Sequence, residues 1–496
     1  MTYIPKQTGL ALETDLLIKQ SREGACGVDL PEVSDFKLRT GQNKRENIGL
    51  AQVNEPQVIR HFVRLSNQNY SIDSGFYPLG SCTMKHNPRL NEKMARLSGF
   101  ADIHPLQDES TTQGALELMY NLQNWLATLT GLGGASLAPA AGAQGEFAGM
   151  LVIRKALIAK GEKRNIVLIP DSAHGTNPAT AAMCGFNIKV IPSDKDGLVD
   201  IEAFRSLVKE HNKDVAAIMI TNPNTCGKFE KNIVEIAKLI HDAGGYFYCD
   251  GANYNAIVGK VRPADIGVDV MHFNLHKTFS TPHGGGGPGS GPIAVAKELV
   301  EFLPTPHIIK VGEKFELKKH KNSVGKVKGF NGQFGMHVRA LTYMLSHGAD
   351  GLQKVAEDAV ISANYILAKL KDFYHVPFEG NCMHECLLTD KNQKAKGITT
   401  LDIAKALVEY GIHPMTVFFP LVVQGAMLIE PTETENKDTI DKFIETMIYI
   451  SKEVDSNNGE KFHQYPLSTP RKRLDDVKAA KTPILTWVQA QQANML

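Results

Sequence analysis

The chain has 496 residues, with 54 Lys plus Arg against 53 Asp plus Glu and a net charge of +1. No field of one sign therefore marks a nucleic-acid-binding or polybasic membrane-surface protein. Its 43 Gly and 24 Pro lie near ordinary usage, which excludes collagen-like and low-complexity classes, and the length allows roughly two to four domains. No run approaches about 18 apolar residues, and Met1–Gly27 lacks an apolar signal core, so neither a membrane span nor secretion is expected. Cys26, Cys82, Cys184, Cys226, Cys249, Cys382 and Cys386 are scattered and odd in number, as reduced thiols of a cytoplasmic protein are.

Residues 1–65 read as an N-terminal arm that wraps something else, because Ser34–Asn47 (SDFKLRTGQNKREN) is too polar for a core element. Apolar residues recur at helical spacing from Leu116 to Leu129. A second helix, apolar on most sides and hence buried, starts at Gly142 behind the Gly-rich turn APAAGAQGE. Short apolar runs then alternate with amphipathic helices: Asn165–Pro170, Ile188–Pro192, Ala216–Thr221, Tyr246–Cys249, Val270–Leu275 and Ile293–Ala296. In the helix from Lys231 to Ala243, Ile233, Ile236, Ala237 and Ile240 share one face, and Gly244-Gly245 closes the end. This βαβα rhythm predicts an α/β fold with a mostly parallel sheet, functional groups in loops beyond the carboxyl ends of strands, and a large domain over 66–330. The segment from Lys310 to Lys328 carries seven lysines and is expected to be an exposed loop. A smaller α+β domain is expected over 331–496.

The chemistry is spread over strand tips. The strand FYC runs into Asp250, and VMHFNLH runs into Lys277. A carboxylate at one strand tip and a lysine at the next suit a pyridoxal phosphate enzyme: the carboxylate keeps the ring nitrogen protonated, and the lysine forms the Schiff base. Ala143 and Gln144, at the start of the buried helix, offer backbone amides to the phosphate, and Thr278 adds a hydroxyl. His174, in DSAHGTNPAT, is placed to lay its imidazole on the ring, and Asn222 or Asn224 of TNPNTCG to meet the ring hydroxyl. Ala252, Thr176 and His276, in the same motifs, complete the expected cofactor-binding set.

Two patterns mislead. GGGGPG (Gly284–Gly289) matches GxGxxG but contains a proline and precedes a strand, so the dinucleotide fingerprint fails in context. Cys382, His384 and Cys386 alternate as on one face of a strand, yet three ligands with strand-like neighbours read as core, and no metal site is expected.

YPLGSCTMKHNP, DIHPLQ, APAAGAQGE, AHGTNPA, TNPNTCG, DGANYNA, NLHKTF, GGGGPGSGP and IEPTETE occur in this order between about Asn69 and Trp487. Together they resemble the glycine decarboxylase (P-protein) family of the glycine cleavage system. The resemblance implies a fold-type I pyridoxal phosphate enzyme in which Lys277 is the Schiff-base residue. It further implies the separate catalytic subunit of a heterotetramer with two copies each of this chain and of a first subunit, and a lipoyl-bearing H-protein as second substrate. Glycine would be decarboxylated and its aminomethyl group passed to the lipoyl disulfide, an oxidoreductase reaction of glycine catabolism. His104 and YPLGSCTMKHNP are expected to line the site without an assigned role. The rival readings are another fold-type I decarboxylase or lyase, and a scaffold subunit without catalysis; the presence of both Lys277 and Asp250 argues against the scaffold.

Overall fold

The strands of the central sheet alternate their side chains between two apolar layers, and this alternation positions the site. In the computed structural model, which describes residues 15–29, 31, 48–284 and 289–493, the strands are β1 (Gly134–Ser136), β2 (Ile166–Pro170), β3 (Asn187–Ile191), β4 (Val215–Thr221), β5 (Tyr246–Gly251), β6 (Val270–Phe273) and β7 (Ile293–Val295). They form one sheet in the order β1-β7-β6-β5-β4-β2-β3. Only β7 runs against its neighbours. On one face Leu168, Ile218, Phe247, Cys249, Met271 and Phe273 share a core with Leu122 and Leu126. On the other, Val167, Ala217, Met219, Tyr246, Tyr248 and Val270 pack with Ala148, Val152 and Ile153. Such a sheet, apolar on both faces, is what the run of buried strands predicted.

The residues around Lys277 lie within one compact unit, Gly75–Tyr465; Met1–Ser74 and Pro466–Leu496 form another. In the second unit, helix α1 (Glu55–Asn67) starts with a capping box between Asn54 and Gln57 and leaves Ile59, Phe62 and Val63 exposed. The polar stretch Ser34–Asn47 lies outside the described residues, as do Gly285–Pro288 of the glycine run.

Helices α2 (Gln113–Thr130) and α3 (Gly142–Ala159) begin and end close to where the periodicity placed them. They are followed by α4 (Thr176–Met183) and α5 (Ile233–Asp242), whose buried face is Ile233, Ile236, Ala237 and Ile240. The lysine-rich segment is not a plain loop. Its first part pairs as the hairpin β8 (His307–Val311) and β9 (Lys314–Lys318). The reason is period-2 alternation within KFELK: Phe315 is buried and Leu317 half-buried, while Lys314, Glu316 and Lys318 face out. The charge count hid an amphipathic strand.

The helical segment α6 (Phe334–Leu370), two helices joined across a kink at Gly348, serves two cores. Val338, Leu341, Met344, Leu352 and Ala356 belong to the core on one face of the central sheet. Ala363, Ile366 and Leu370 belong to a second core with Phe443 and Met447 of α7 (Lys437–Asp455). That second core also contains residues of a three-stranded sheet, β10 (Cys386–Thr389), β11 (Thr416–Val417) and β12 (Ala426–Ile429), in the order β10-β12-β11. Because β10 starts only at Cys386, Cys382 and His384 lie ahead of it, and the alternating triplet is not a strand face. Cys382 and Cys386 sit in the second core, and His384 Nε2 lies 3.7 Å from Glu430 Oε1.

Candidate active site

Asp250, the penultimate residue of β5, lies on the same face as Tyr248, two residues back, and is 2% exposed. Its Oδ2 accepts from Asn177 Nδ2 at 3.0 Å, and its Oδ1 accepts from the backbone N–H of Ala252 at 2.9 Å. On the adjacent parallel strand His272 stands directly beside it in register, with Nε2 3.4 Å from Oδ1. Burial alone would raise the Asp250 carboxyl, but His272, the Asn177 amide, the Ala252 N–H and the charge of Lys277 together hold it below the usual carboxylate range. Burial pushes His272 down, against the pull of Asp250, and its Nδ1 lies 2.7 Å from the Tyr248 hydroxyl. Gly149 makes room for that tyrosine: a Cβ there would lie 2.6 Å from the Tyr248 ring.

Lys277 sits in the helical turn Leu275–Thr278 directly after β6. Its Nζ donates to the Ser81 carbonyl at 2.8 Å. The unassigned segment YPLGSCTMKHNP is therefore part of the site. Glycine 80 N–H donates to Leu428 O, which lays this segment against β12. The backbone N–H of Ser81 and of Thr83 donate to Glu385 and Glu430, at 2.7 and 2.9 Å. Lys85 Nζ reaches Glu433 Oε1 at 2.5 Å and Thr278 O at 2.9 Å.

The turn APAAGAQGE opens α3 as expected. The first hydrogen bond of the helix runs from Gly145 N to Ala141 O, and Ala141 supplies no side-chain cap, so the amides of Gly142, Ala143 and Gln144 precede the ladder. A Cβ on Gly142 would lie 2.2 Å from Asn274 Oδ1; the cradle is closed around a residue without a side chain. The Gln144 side chain is occupied, accepting from Ala140 N at 2.7 Å and donating to Val327 O at 2.8 Å, which leaves its backbone amide as its offer to an anion. Thr278 is 1% exposed and its hydroxyl has no partner.

His174 Nδ1 lies 3.0 Å from Thr176 Oγ1. Desolvation lowers its imidazole, with Asp250 raising and Lys277 lowering it further, which places it within the field of both. Of the two asparagines, Asn224 is consumed by its own loop, accepting from Cys226 and Lys228 N–H and donating to Gly197 O. Asn222 accepts from Glu230 N at 3.0 Å and keeps a buried amide nitrogen without a partner. The His276 ring meets Ser290 N–H at 3.4 Å and stacks edge-on against His283, 5.0 Å between centroids. Burial, His283 and Lys277 push it down to about 3. His104 instead lines an apolar cavity with Leu116, Met119, Leu317 and Phe330.

Glu146 escaped the sequence reading. It is 4% exposed on α3, accepting from Thr176 Oγ1 at 2.8 Å and Asn177 Nδ2 at 3.0 Å. Burial and the neighbouring Asp250 raise it to about 7, against those hydrogen bonds and Thr180. A lone acid in a helix apolar on most sides was the available signal, since buried Glu is rare unless it is partnered. Taken together, a buried anion, a free amine, three unladdered amides and an orphaned hydroxyl fit a group that carries a protonated ring nitrogen, a carbonyl and a phosphate.

A family profile for the glycine cleavage system P-protein matches residues 35–319, and one for the glycine dehydrogenase C-terminal domain matches 355–467. The chain is 54% identical over 489 residues to a probable glycine dehydrogenase (decarboxylating) subunit 2 of Caulobacter vibrioides, covering 97% of this chain and 93% of that one. It is 50% identical to the protein of the same description from Staphylococcus haemolyticus, covering 95% and 97%. Among solved structures, an inhibitor-bound glycine decarboxylase (P-protein) superposes with a TM-score of 0.68 at 20% identity, covering 85% of this chain and 91% of that one. A sphingosine-1-phosphate lyase of Burkholderia pseudomallei gives 0.61 at 14%, covering 82% and 90%. These last two share the fold. With the P-protein profile spanning more than half of the chain and relatives half identical over nearly all of it, the chain belongs to the glycine cleavage system P-protein family.

Proposed function

We propose that this chain decarboxylates glycine and passes the aminomethyl group to a lipoyl disulfide on an H-protein, with pyridoxal phosphate held on Lys277 and a second P-protein subunit as partner in a heterotetramer. The observation that carries the reading is the pairing of a buried, anionic Asp250 at one strand tip with the Lys277 amine beyond the next, each within the other's field. When bound, the cofactor supplies an electron sink for the pair released from the bond between Cα and the carboxylate.

The chain's own residues do the rest. Asp250, a buried carboxylate held below its usual range by its hydrogen bonds and neighbours, would keep a proton on the ring nitrogen. The amides of Gly142, Ala143 and Gln144 and the Thr278 hydroxyl would hold the phosphate at the positive end of α3. The imidazole of His174, fixed through Nδ1 by Thr176, and the unpartnered amide of Asn222 would help to hold the ring. Ala252 serves through its N–H to Asp250, and His276 packs beside the lysine turn. Overall, the bond to the carboxylate breaks and carbon dioxide leaves. The electron pair forms the bond from the aminomethyl carbon to one lipoyl sulfur; the sulfur–sulfur bond breaks and the second sulfur takes a proton.

No helix among the described residues is long and apolar enough to cross a membrane. Borohydride reduction of the purified protein followed by peptide mapping tests the assignment. A pyridoxyl adduct on Lys277, absent from Lys277→Ala, is expected; an adduct elsewhere overturns it.

A further inference from the structure

Four residues separated widely in sequence converge behind the reactive lysine. Ser81 and Thr83 have φ of +61° and +47°, left-handed backbone that non-glycine residues rarely adopt and that persists only when the surroundings enforce it. The enforcing groups are two wholly buried carboxyls. Glu385 takes the Ser81 N–H at 2.7 Å and its hydroxyl at 3.3 Å; Glu430 takes the Thr83 N–H at 2.9 Å. On its other side the same peptide turn presents the Ser81 carbonyl to Lys277 Nζ at 2.8 Å.

We propose that Glu385 and Glu430 are positioning residues: they clamp the Ser81–Thr83 turn so that the Ser81 carbonyl receives the Lys277 amine whenever that amine is free. A lysine displaced by glycine then has a fixed acceptor, which keeps it aligned for its return. Burial and the adjacent Glu430 push the Glu385 carboxyl well up, and the clamp rests on the reach of this side chain to the Ser81 N–H and hydroxyl.

The inference rests on Lys277 being the reacting amine, and its test is separable from that reading. The full-length chain, freed of cofactor, is labelled with an amine-reactive succinimidyl ester, and modification of the Lys277 peptide is followed by mass spectrometry against surface lysines. Glu385→Ala removes the clamp. Glu385→Asp keeps the carboxyl but withdraws it by one methylene, with less risk to folding, and Glu385→Gln keeps both the reach and an acceptor oxygen. Losing the carbonyl's hold on the Lys277 amine should speed Lys277 labelling about tenfold in the Ala and Asp variants, the scale of one hydrogen bond. Glu385→Gln should stay within about twofold of wild type. Unchanged labelling in Glu385→Ala and Glu385→Asp overturns the clamp, and Glu385→Gln behaving like Ala overturns reach as its basis. If Lys277 were not the reacting amine, borohydride would leave no adduct on it whatever the labelling showed.

Discussion

Glu146 and Asp250 share one donor: the side-chain amide of Asn177 lies 3.0 Å from a carboxylate oxygen of each. Two buried acids this close do not both ionise readily, and the environment divides them. Asp250 has an additional N–H from Ala252 and the field of Lys277, and stays low; Glu146 rises to about 7.

That division makes stability depend on pH. Glu146 titrates near its ordinary 4.5 when unfolded and at about 7 when folded, so its contribution is fully present below pH 4.5 and is lost as pH rises through 7. Glu146→Gln cannot ionise and keeps an acceptor and a donor for Asn177 and Thr176. Its stability relative to wild type should therefore rise between pH 5 and pH 8, by on the order of 3 kcal/mol at most. Urea unfolding at both pH values measures this, and parallel pH dependences would refute the raised acid.

Asp250→Ala should lower glycine decarboxylation by about 10²- to 10³-fold, the scale on which a preorganised electrostatic group acts, while cofactor absorbance persists through the phosphate cradle. Exchange of labelled bicarbonate into glycine reads the first effect. Near-normal exchange would remove Asp250 from the ring nitrogen.

Gly142→Ala places a methyl 2.2 Å from Asn274 Oδ1, so either the asparagine or the start of α3 must move. Cofactor affinity should fall about tenfold or more. Adding Asn274→Ala should recover part of the loss, because the obstacle is a side chain. Fluorescence titration with pyridoxal phosphate tests the pair, and equal affinity in wild type and Gly142→Ala would remove this turn from the phosphate site.

Lys85 is 3% exposed, and its ammonium is shared among Glu433, Asn255 Oδ1 and Thr278 O. Lys85→Met strands Glu433 without its cation and should cost about 3–5 kcal/mol in denaturant unfolding. Lys85→Met with Glu433→Leu should be more stable than Lys85→Met alone. A double variant no better than the single one would show that the stranded charge is not the cost.

Lys318, Lys319 and Lys321 are exposed at and just beyond the end of β9. Changing all three to Gln should raise the apparent Michaelis constant for H-protein and flatten its salt dependence, since exposed charges steer encounters over a Debye length of about 8 Å. Glycine binding should be unaffected. An unaltered salt dependence would leave these lysines as a solvated surface.

The alternation of strands and helices, and the two strand tips leading into Asp250 and Lys277, were legible in the sequence because they rest on local pattern: short continuous apolar runs for β5 and β6, buried on both faces, and a period of 3.6 for α5. The start of α3 was legible for the same reason, as a glycine-rich turn opening an apolar helix. Local charge misled at β8 and β9, where the lysines of the Lys310–Lys328 segment masked an alternation buried through Phe315. Tertiary structure alone decided that Glu146 faces Asp250, that Asn222 and not Asn224 keeps a free amide, and that Ser81 meets both Lys277 and Glu385. Ser81 and Glu385 are 304 residues apart, and no sequence period spans that interval. Such partners are selected by the need to satisfy polar groups once burial has stripped them of water, and which groups those are is settled only when the sheet, β12 and the Ser81 turn have packed together.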